Sequence, residues 1–211
     1  MDLGDAIQTV SDRVDDAIYL LGMCHQKTGE HLLARDEFDR LLRDFPQSAH
    51  REEAEFERAM GWLEDSHSPA LDSEPTQRAL DNFHSYLKNY PDGTHKAEAE
   101  KYVRFCLDRL ANKAYLNGNT YLALKQPAAA RVYFEKSLQI LADSQVEPEV
   151  YFGEGRSYKM EGNAEKAREA FGKVVDTLTP ERIHGNGHLR RLRRHAEEEL
   201  SSLQDSQARR E

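Results

Sequence analysis

The residues of this chain able to bind a metal, shuttle a proton or attack an electrophile are nine histidines, two cysteines and many carboxylates, and their spacing argues against all three uses. His184 and His188 are separated by Gly-Asn-Gly, which denies them the rigid helical face on which a two-histidine metal site is built. Cys24 and Cys106 lie far apart within apolar helical runs, with no Cys-x-x-Cys and no histidine at a recognisable spacing. Both are expected as small buried core residues. Adjacent carboxylates such as Asp15 and Asp16 do acid–base work only when burial shifts them. No Gly-rich phosphate loop and no Gly-x-Ser-x-Gly elbow occurs. The expectation is a protein that is not an enzyme, with no catalytic residues, no metal and no cofactor.

What remains is recognition, and the composition says by which elements. Seven prolines and 12 glycines in 211 residues, with 32% charged residues, favour helix over sheet, and 38% apolar residues is lean for a single globule. The formal charge of −9 disfavours nucleic acid as a partner, since phosphate binding requires clustered Lys and Arg. Arg190, Arg191, Arg193 and Arg194 are the local exception, but Glu197, Glu198 and Glu199 follow at once and nearly neutralise them. No segment approaches the roughly 20 apolar residues that span a bilayer. The opening residues lack a basic leader, and "AIYLLGMC" (17–24) is too short, and too bulky at Met23, for a lipoprotein cleavage site.

An internal repeat organises the chain. "FPQSAHREEAE" (45–55) and "YPDGTHKAEAE" (90–100) agree in type at most positions, and at the same shift Ala34 and Phe38 fall on Ala79 and Phe83. The units follow the tetratricopeptide pattern, in which a small residue at the eighth position lets helix A approach helix B, and an Ala and an aromatic fill helix B. Gly22, Gly61, Gly118 and Gly155 are read as that small residue. This predicts an all-α tetratricopeptide-repeat α-solenoid forming one domain over 1–211, with repeats at about 15–46, 50–91, 96–142 and 148–180 and a capping helix at about 187–205. The turn in the second repeat is about six residues longer than in the first, stiffened by Pro69 and Pro75, with Asp72, Ser73 or Thr76 placed to cap a helix resuming at Gln77. From Lys96 to Leu116 no breaker interrupts one long helix.

Stacked A helices line a groove suited to an extended or helical peptide. Positions two, five, nine and twelve of each A helix face it, which gives Tyr19, Met23, Arg58, Trp62, Tyr115, Asn119, Phe152, Arg156 and Lys159 as peptide- or partner-binding residues. The aromatics would accept apolar side chains and the cations a carboxylate, while packing between repeats is the competing use for each aromatic. A carboxylate clamp for chaperone tails wants Lys at five and Asn at nine. Only Asn119 fits, so that clamp is not expected.

Three features coincide: the insertion "SPALDSEPTQRALDNF", the following "YPDGTHKAEAEKYV", and the long helix with "CLDRLANKAYLNGNTYL". Together they resemble the BamD family, the tetratricopeptide lipoproteins of the outer-membrane β-barrel assembly machinery, in its Bacteroidota-like form, over roughly residues 15 to 180. The resemblance implies a non-enzymatic scaffold at the periplasmic face of the outer membrane. Its implied partners are the periplasmic domains of the BamA-type barrel subunit and outer-membrane protein substrates. The family's lipidated N-terminal Cys and additional first repeat are not seen in this sequence, so the membrane would be reached only through an anchor this chain does not carry. Another tetratricopeptide adaptor, periplasmic or cytoplasmic, is the alternative.

Overall fold

The computed structural model describes residues 3–66 and 73–208, with side chains placed over 13–66 and 73–205. Ten helices and no strand appear among the described residues: α1 (Leu3–Thr28), α2 (His31–Asp44), α3 (Arg51–Glu64), α4 (Glu74–Asn89), α5 (Lys96–Ala123), α6 (Pro127–Ile140), α7 (Glu147–Met160), α8 (Ala164–Thr177), α9 (Pro180–Ile183) and α10 (Gly187–Ala208). They form antiparallel hairpins of the tetratricopeptide kind, the fold class read from the sequence. The chain divides after Leu107, inside α5, into two compact units. In unit 1, α1 pairs with α2, α3 packs on α2, and α4 pairs with α3. In unit 2, α7 packs on α6 and pairs with α8, and α10 lies along α8.

Within a hairpin, the turn is closed by one residue with left-handed backbone. Gly29 (φ 78°) and Gly162 (φ 77°) occupy that place in the first and fourth hairpins, where a residue without Cβ adopts positive φ freely. Lys125 (φ 58°) holds it in the third. All three share one hydrogen-bond pattern, in which the N–H of Gly29, Lys125 or Gly162 donates three residues back and the next N–H five back. A side chain in this region costs about 1 kcal/mol. Lys125→Gly should therefore stabilise unit 2 by about 0.5–1 kcal/mol, while Gly162→Ala destabilises it by a similar amount, both measurable by urea unfolding.

Between hairpins a second pattern repeats. The N–H groups of Phe45, Ser48 and Arg51 donate to Leu41, Phe45 and Ser48, and the same ladder recurs at Tyr90, Gly93 and Lys96 and at Leu141, Ser144 and Glu147. In the second of these loops Glu52 ties the turn down, accepting from the Tyr86 hydroxyl (2.8 Å) and the Thr94 N–H (2.5 Å). Burial, then this hydrogen bond, pushes the Tyr86 phenol up to about 12.

α4 begins at Glu74 instead of Gln77, with Pro75 in its first turn, where a missing N–H is no loss. Ser73 stands at the cap position but its side chain accepts no hydrogen bond there. Of the expected insertion, residues 67–72, with Pro69 and Asp72, lie outside the described residues, as do 209–211 of the tail.

α5 runs 28 residues against 14 for α3 and α7. It extends past the predicted Leu116 because it does two jobs. Tyr102, near its start, stacks on Phe83 in unit 1 (5.3 Å), and Tyr115 and Leu122, further on, pack in the Phe134 cluster of unit 2.

The core is built of aromatics that enter against glycine. In hairpins one, three and four, Phe38, Phe134 and Phe171 are fully buried. Each lies sixteen residues after Gly22, Gly118 or Gly155, and a Cβ added at any of these glycines would strike its ring. The second hairpin departs from the expected register. A Cβ at Gly61 would meet Arg35 and Gln26, and no atom of Phe83. The ring contacts show the true alignment. Tyr19, Tyr115 and Phe152, each three residues before the glycine, pair with Phe38 (6.3 Å), Phe134 (6.2 Å) and Phe171 (5.4 Å). In the second hairpin Phe56 pairs with Phe83 (5.9 Å), which makes the fully buried Ala59 the eighth position.

Candidate protein-interaction surfaces

The register correction decides where the expected groove residues go. With Ala59 at position eight, positions two, five and nine of α3 are Glu53, Phe56 and Met60, and Arg58 and Trp62 fall at seven and eleven. Arg58 and Trp62 are therefore not groove positions, contrary to the sequence expectation. The Arg58 Nη1 donates to Asp39 at 2.7 Å on the preceding α2. Trp62 lies under the Arg35 guanidinium, 3.9 Å from ring to charge, and Arg35 is 6% exposed. Arg35 also donates to the Gly61 carbonyl at 2.8 Å and pairs with Asp65 at 2.5 Å. A helix-B arginine thus stacks on position eleven of the next helix A and reaches the acid at its C-terminal end.

Unit 2 repeats this interlock one hairpin pair later. Arg131, which follows Ala130 as Arg35 follows Ala34, lies 4.4 Å over Tyr158 and pairs with Glu161 at 2.9 Å. Tyr158 is position eleven of α7, and Glu161 stands at the cap just past its C-terminus. The sequence carried a signal for it: an Ala-Arg pair on helix B, with an aromatic and an acid three residues apart on the following helix A.

On the wall of unit 1, Tyr19 is held between Phe38 and the parallel ring of His50 (4.3 Å, 2°), and the His50 Nε2 lies 2.8 Å from Asp16, position two of the same helix. The next repeat copies the stack with Phe56 and His95 (4.3 Å, 16°). Met23 packs partly buried against the Phe38 cluster. Burial, reinforced by Glu57 and Glu53, pushes the Tyr19 phenol up, so its hydroxyl stays a hydrogen-bond donor.

Unit 2 gathers five of the expected residues. Tyr115 is half-buried, hydrogen-bonded by Asn119 and within the fields of Glu149 and Arg156; its phenol is pushed up chiefly by burial. Arg156 is exposed. Phe152 and Lys159 line an open cleft of about 300 Å³, whose other wall is His195, Glu198, Glu199 and Ser202 of α10. Lys159 is tied to Glu199 at 2.5 Å. Those four α10 residues were missed because the polar side of that helix reads as self-neutralising, which Arg193–Glu197 (2.9 Å) and Arg194–Glu198 (3.7 Å) are, while His195 and Glu199 sit beside Phe152.

Burial, more than its neighbours, raises the Glu154 carboxyl on α7; Glu135 and Glu169 add to it and Lys173 and Arg131 oppose it. A raised carboxyl binds its proton more tightly in the folded state, so its contribution is present at low pH and lost as pH rises through the folded value. Glu154→Gln should be more stable than the parent chain near pH 7, and the difference should close as pH falls below about 4.5, read by thermal melts across pH.

Cys106 is buried as expected, but Cys24 is exposed, because Ile18 and Gly22, not Cys24, face the hairpin. His184 is exposed, and His188 pairs with Glu149 at 2.9 Å. Among the described residues no group of three or more His, Cys, Asp or Glu gathers at metal-binding distance, and no helix is long and apolar enough to cross a membrane.

The hairpins, the long α5 and the turns around it match one family of sequences over residues 5–173, described as outer membrane lipoprotein, YfiO. The chain belongs to the YfiO family. This is the family that the insertion and long helix resemble, under its BamD name, a family of outer membrane lipoproteins, and membership together with the hairpin fold supports a protein-interaction role. No curated protein sequence matches the chain. Among solved structures, a tetratricopeptide repeat protein from Parabacteroides merdae is 14% identical, with a TM-score of 0.35 over 90% of this chain and 74% of that one. MamA from Desulfovibrio magneticus RS-1 is 18% identical, with a TM-score of 0.32 over 90% and 93%. A thermophilic tetratricopeptide protein from Thermus thermophilus is 17% identical, with a TM-score of 0.31 over 86% and 98%.

Proposed function

We propose that this YfiO-family chain is a scaffold of outer-membrane protein assembly at the periplasmic face of the outer membrane. It binds the periplasmic domains of the BamA-type barrel subunit, and it receives outer-membrane protein substrates along the walls of its A helices. The observation that carries this reading is the family match over residues 5–173. The residues assigned to the contact are Tyr19 and Met23 in unit 1 and Tyr115, Asn119, Phe152, Arg156 and Lys159 in unit 2. Their chemistry supports it: protonated phenols and an aromatic floor suit apolar and aromatic side chains, and an exposed guanidinium suits a carboxylate.

Arg156 is the residue to change, because it is exposed and its loss leaves the core intact. Arg156→Glu should weaken binding to purified BamA-type periplasmic domains by about tenfold, as is usual for a charge reversed at a contact, with an unchanged melting curve. Unchanged affinity removes Arg156 from the contact. A pull-down from envelope extracts that recovers only cytosolic proteins overturns the function.

A further inference from the structure

α1 has two apolar faces, and its hairpin uses only one. Ile18 and Gly22 are buried against α2. On another side Val14 (39% exposed), Ala17, Leu21 (44%) and Cys24 stand open. Their spacing of three, four and three residues is the a/d pattern of a coiled-coil seam. None of the four open residues is a position two, five, nine or twelve, so this side is separate from the proposed groove. A lone exposed leucine is ordinary, but an unbroken heptad seam is not.

The charges beside the seam say what would cover it. With Val14 and Leu21 at a and Ala17 and Cys24 at d, the open flank at g is Arg13, Leu20 and Lys27, all exposed. Neither Arg13 nor Lys27 is paired with a carboxylate among the described residues, in a chain of net charge −9 whose surface is otherwise rich in ion pairs. The other flank is closed, since Ile18 is buried in the hairpin and His25 pairs with Glu30 at 2.8 Å. A second copy of this chain, lying antiparallel, would bring Arg13 and Lys27 against each other, and flanking charges of one sign oppose such pairing. We infer that the Val14–Leu21 face of α1 docks an amphipathic helix of another protein, with an apolar heptad seam and acidic residues at the flank that meets Arg13 and Lys27.

The test uses the full chain and two synthetic helices of about four heptads with identical Leu/Ile seams, one flanked by Glu and its twin by Lys. Fluorescence anisotropy should give the Glu-flanked helix at least about tenfold tighter binding, and the order should reverse in the double variant Arg13→Glu, Lys27→Glu. Leu21→Glu, at an exposed position, should abolish binding with its circular dichroism unchanged. Equal affinity for the two helices, no binding of either, or a preference indifferent to the charge reversal overturns the assignment. So does sedimentation showing a dimer that Leu21→Glu disperses, which would make the occupant a second copy.

Discussion

Trp62→Ala should destabilise unit 1 by about 2–4 kcal/mol, the range of a large aromatic cut to Ala at a partly buried site. The ring is already covered by a side chain of α2. It carries the Arg35 guanidinium at 3.9 Å, with Arg78 at 5.8 Å from its centroid. A desolvated cation over an indole contributes about 2 kcal/mol, and Arg35, at 6% exposure, is desolvated. Removal of the ring leaves the guanidinium paired with Asp65 but uncovered. A double-mutant cycle with Arg35→Met should return a coupling of about 1 kcal/mol or more. The melting curve decides between the two uses of this residue: a groove contact would lose only ligand affinity, whereas the interlock requires lost stability. An unchanged melt of Trp62→Ala would return the residue to the groove. Since Trp62 is the sole tryptophan, its fluorescence in the parent chain follows unit 1 alone, and circular dichroism follows both units. The two probes should give separate transitions if the units unfold independently.

Gly118→Val should cost unit 2 about 3 kcal/mol, at the upper end of what overpacking a core costs. Phe134 is fully buried between two glycines, Gly118 on its own hairpin and Gly153 on the next helix A, and a Cβ at Gly153 would stand 2.5 Å from its Cζ. A Cβ at Gly118 would strike the same ring at its Cε1 and Cδ1. Helix propensity works in the opposite sense, since leaving glycine for alanine gains about 1 kcal/mol inside a helix. For Gly118→Ala that gain offsets much of an overpacking cost of about 1–3 kcal/mol, and a small effect is expected. Valine adds two methyl groups and gives up most of the propensity gain, so the steric term wins. Phe134→Leu in the same chain should recover part of the loss, because it trims the ring that is struck. Urea unfolding followed by circular dichroism reads all three variants, and a Gly118→Val chain as stable as the parent would refute the close approach.

Residue spacing set the helix register in three of the four hairpins, because the glycine-to-phenylalanine separation of sixteen is a covalent distance that the close approach of the two helices must reproduce. Gly29 and Gly162 close their turns for an equally local reason: positive φ is a property that glycine satisfies by itself. Lys125 was invisible, since a lysine gives no sign that it will accept a left-handed backbone when packing on both sides demands it. The second hairpin was misread because Met60-Gly61 imitates Leu21-Gly22, while alanine, also small, fills position eight just as well. Only the Phe56–Phe83 contact reveals the register, and a slip of two residues turns Trp62 from groove to interlock. Cys24 likewise read as core, since its helix is apolar on two sides and the sequence does not say which side the hairpin takes.

From its sequence the chain is a series of helical hairpins of the YfiO family, because apolar period, turn glycines and small-residue spacing act over a few turns of helix. Which aromatic stands on the wall of the A helices and which locks two repeats together was decided by tertiary structure alone. That choice depends on the rotation of each helix about its axis, which is set by what the neighbouring hairpin places against it.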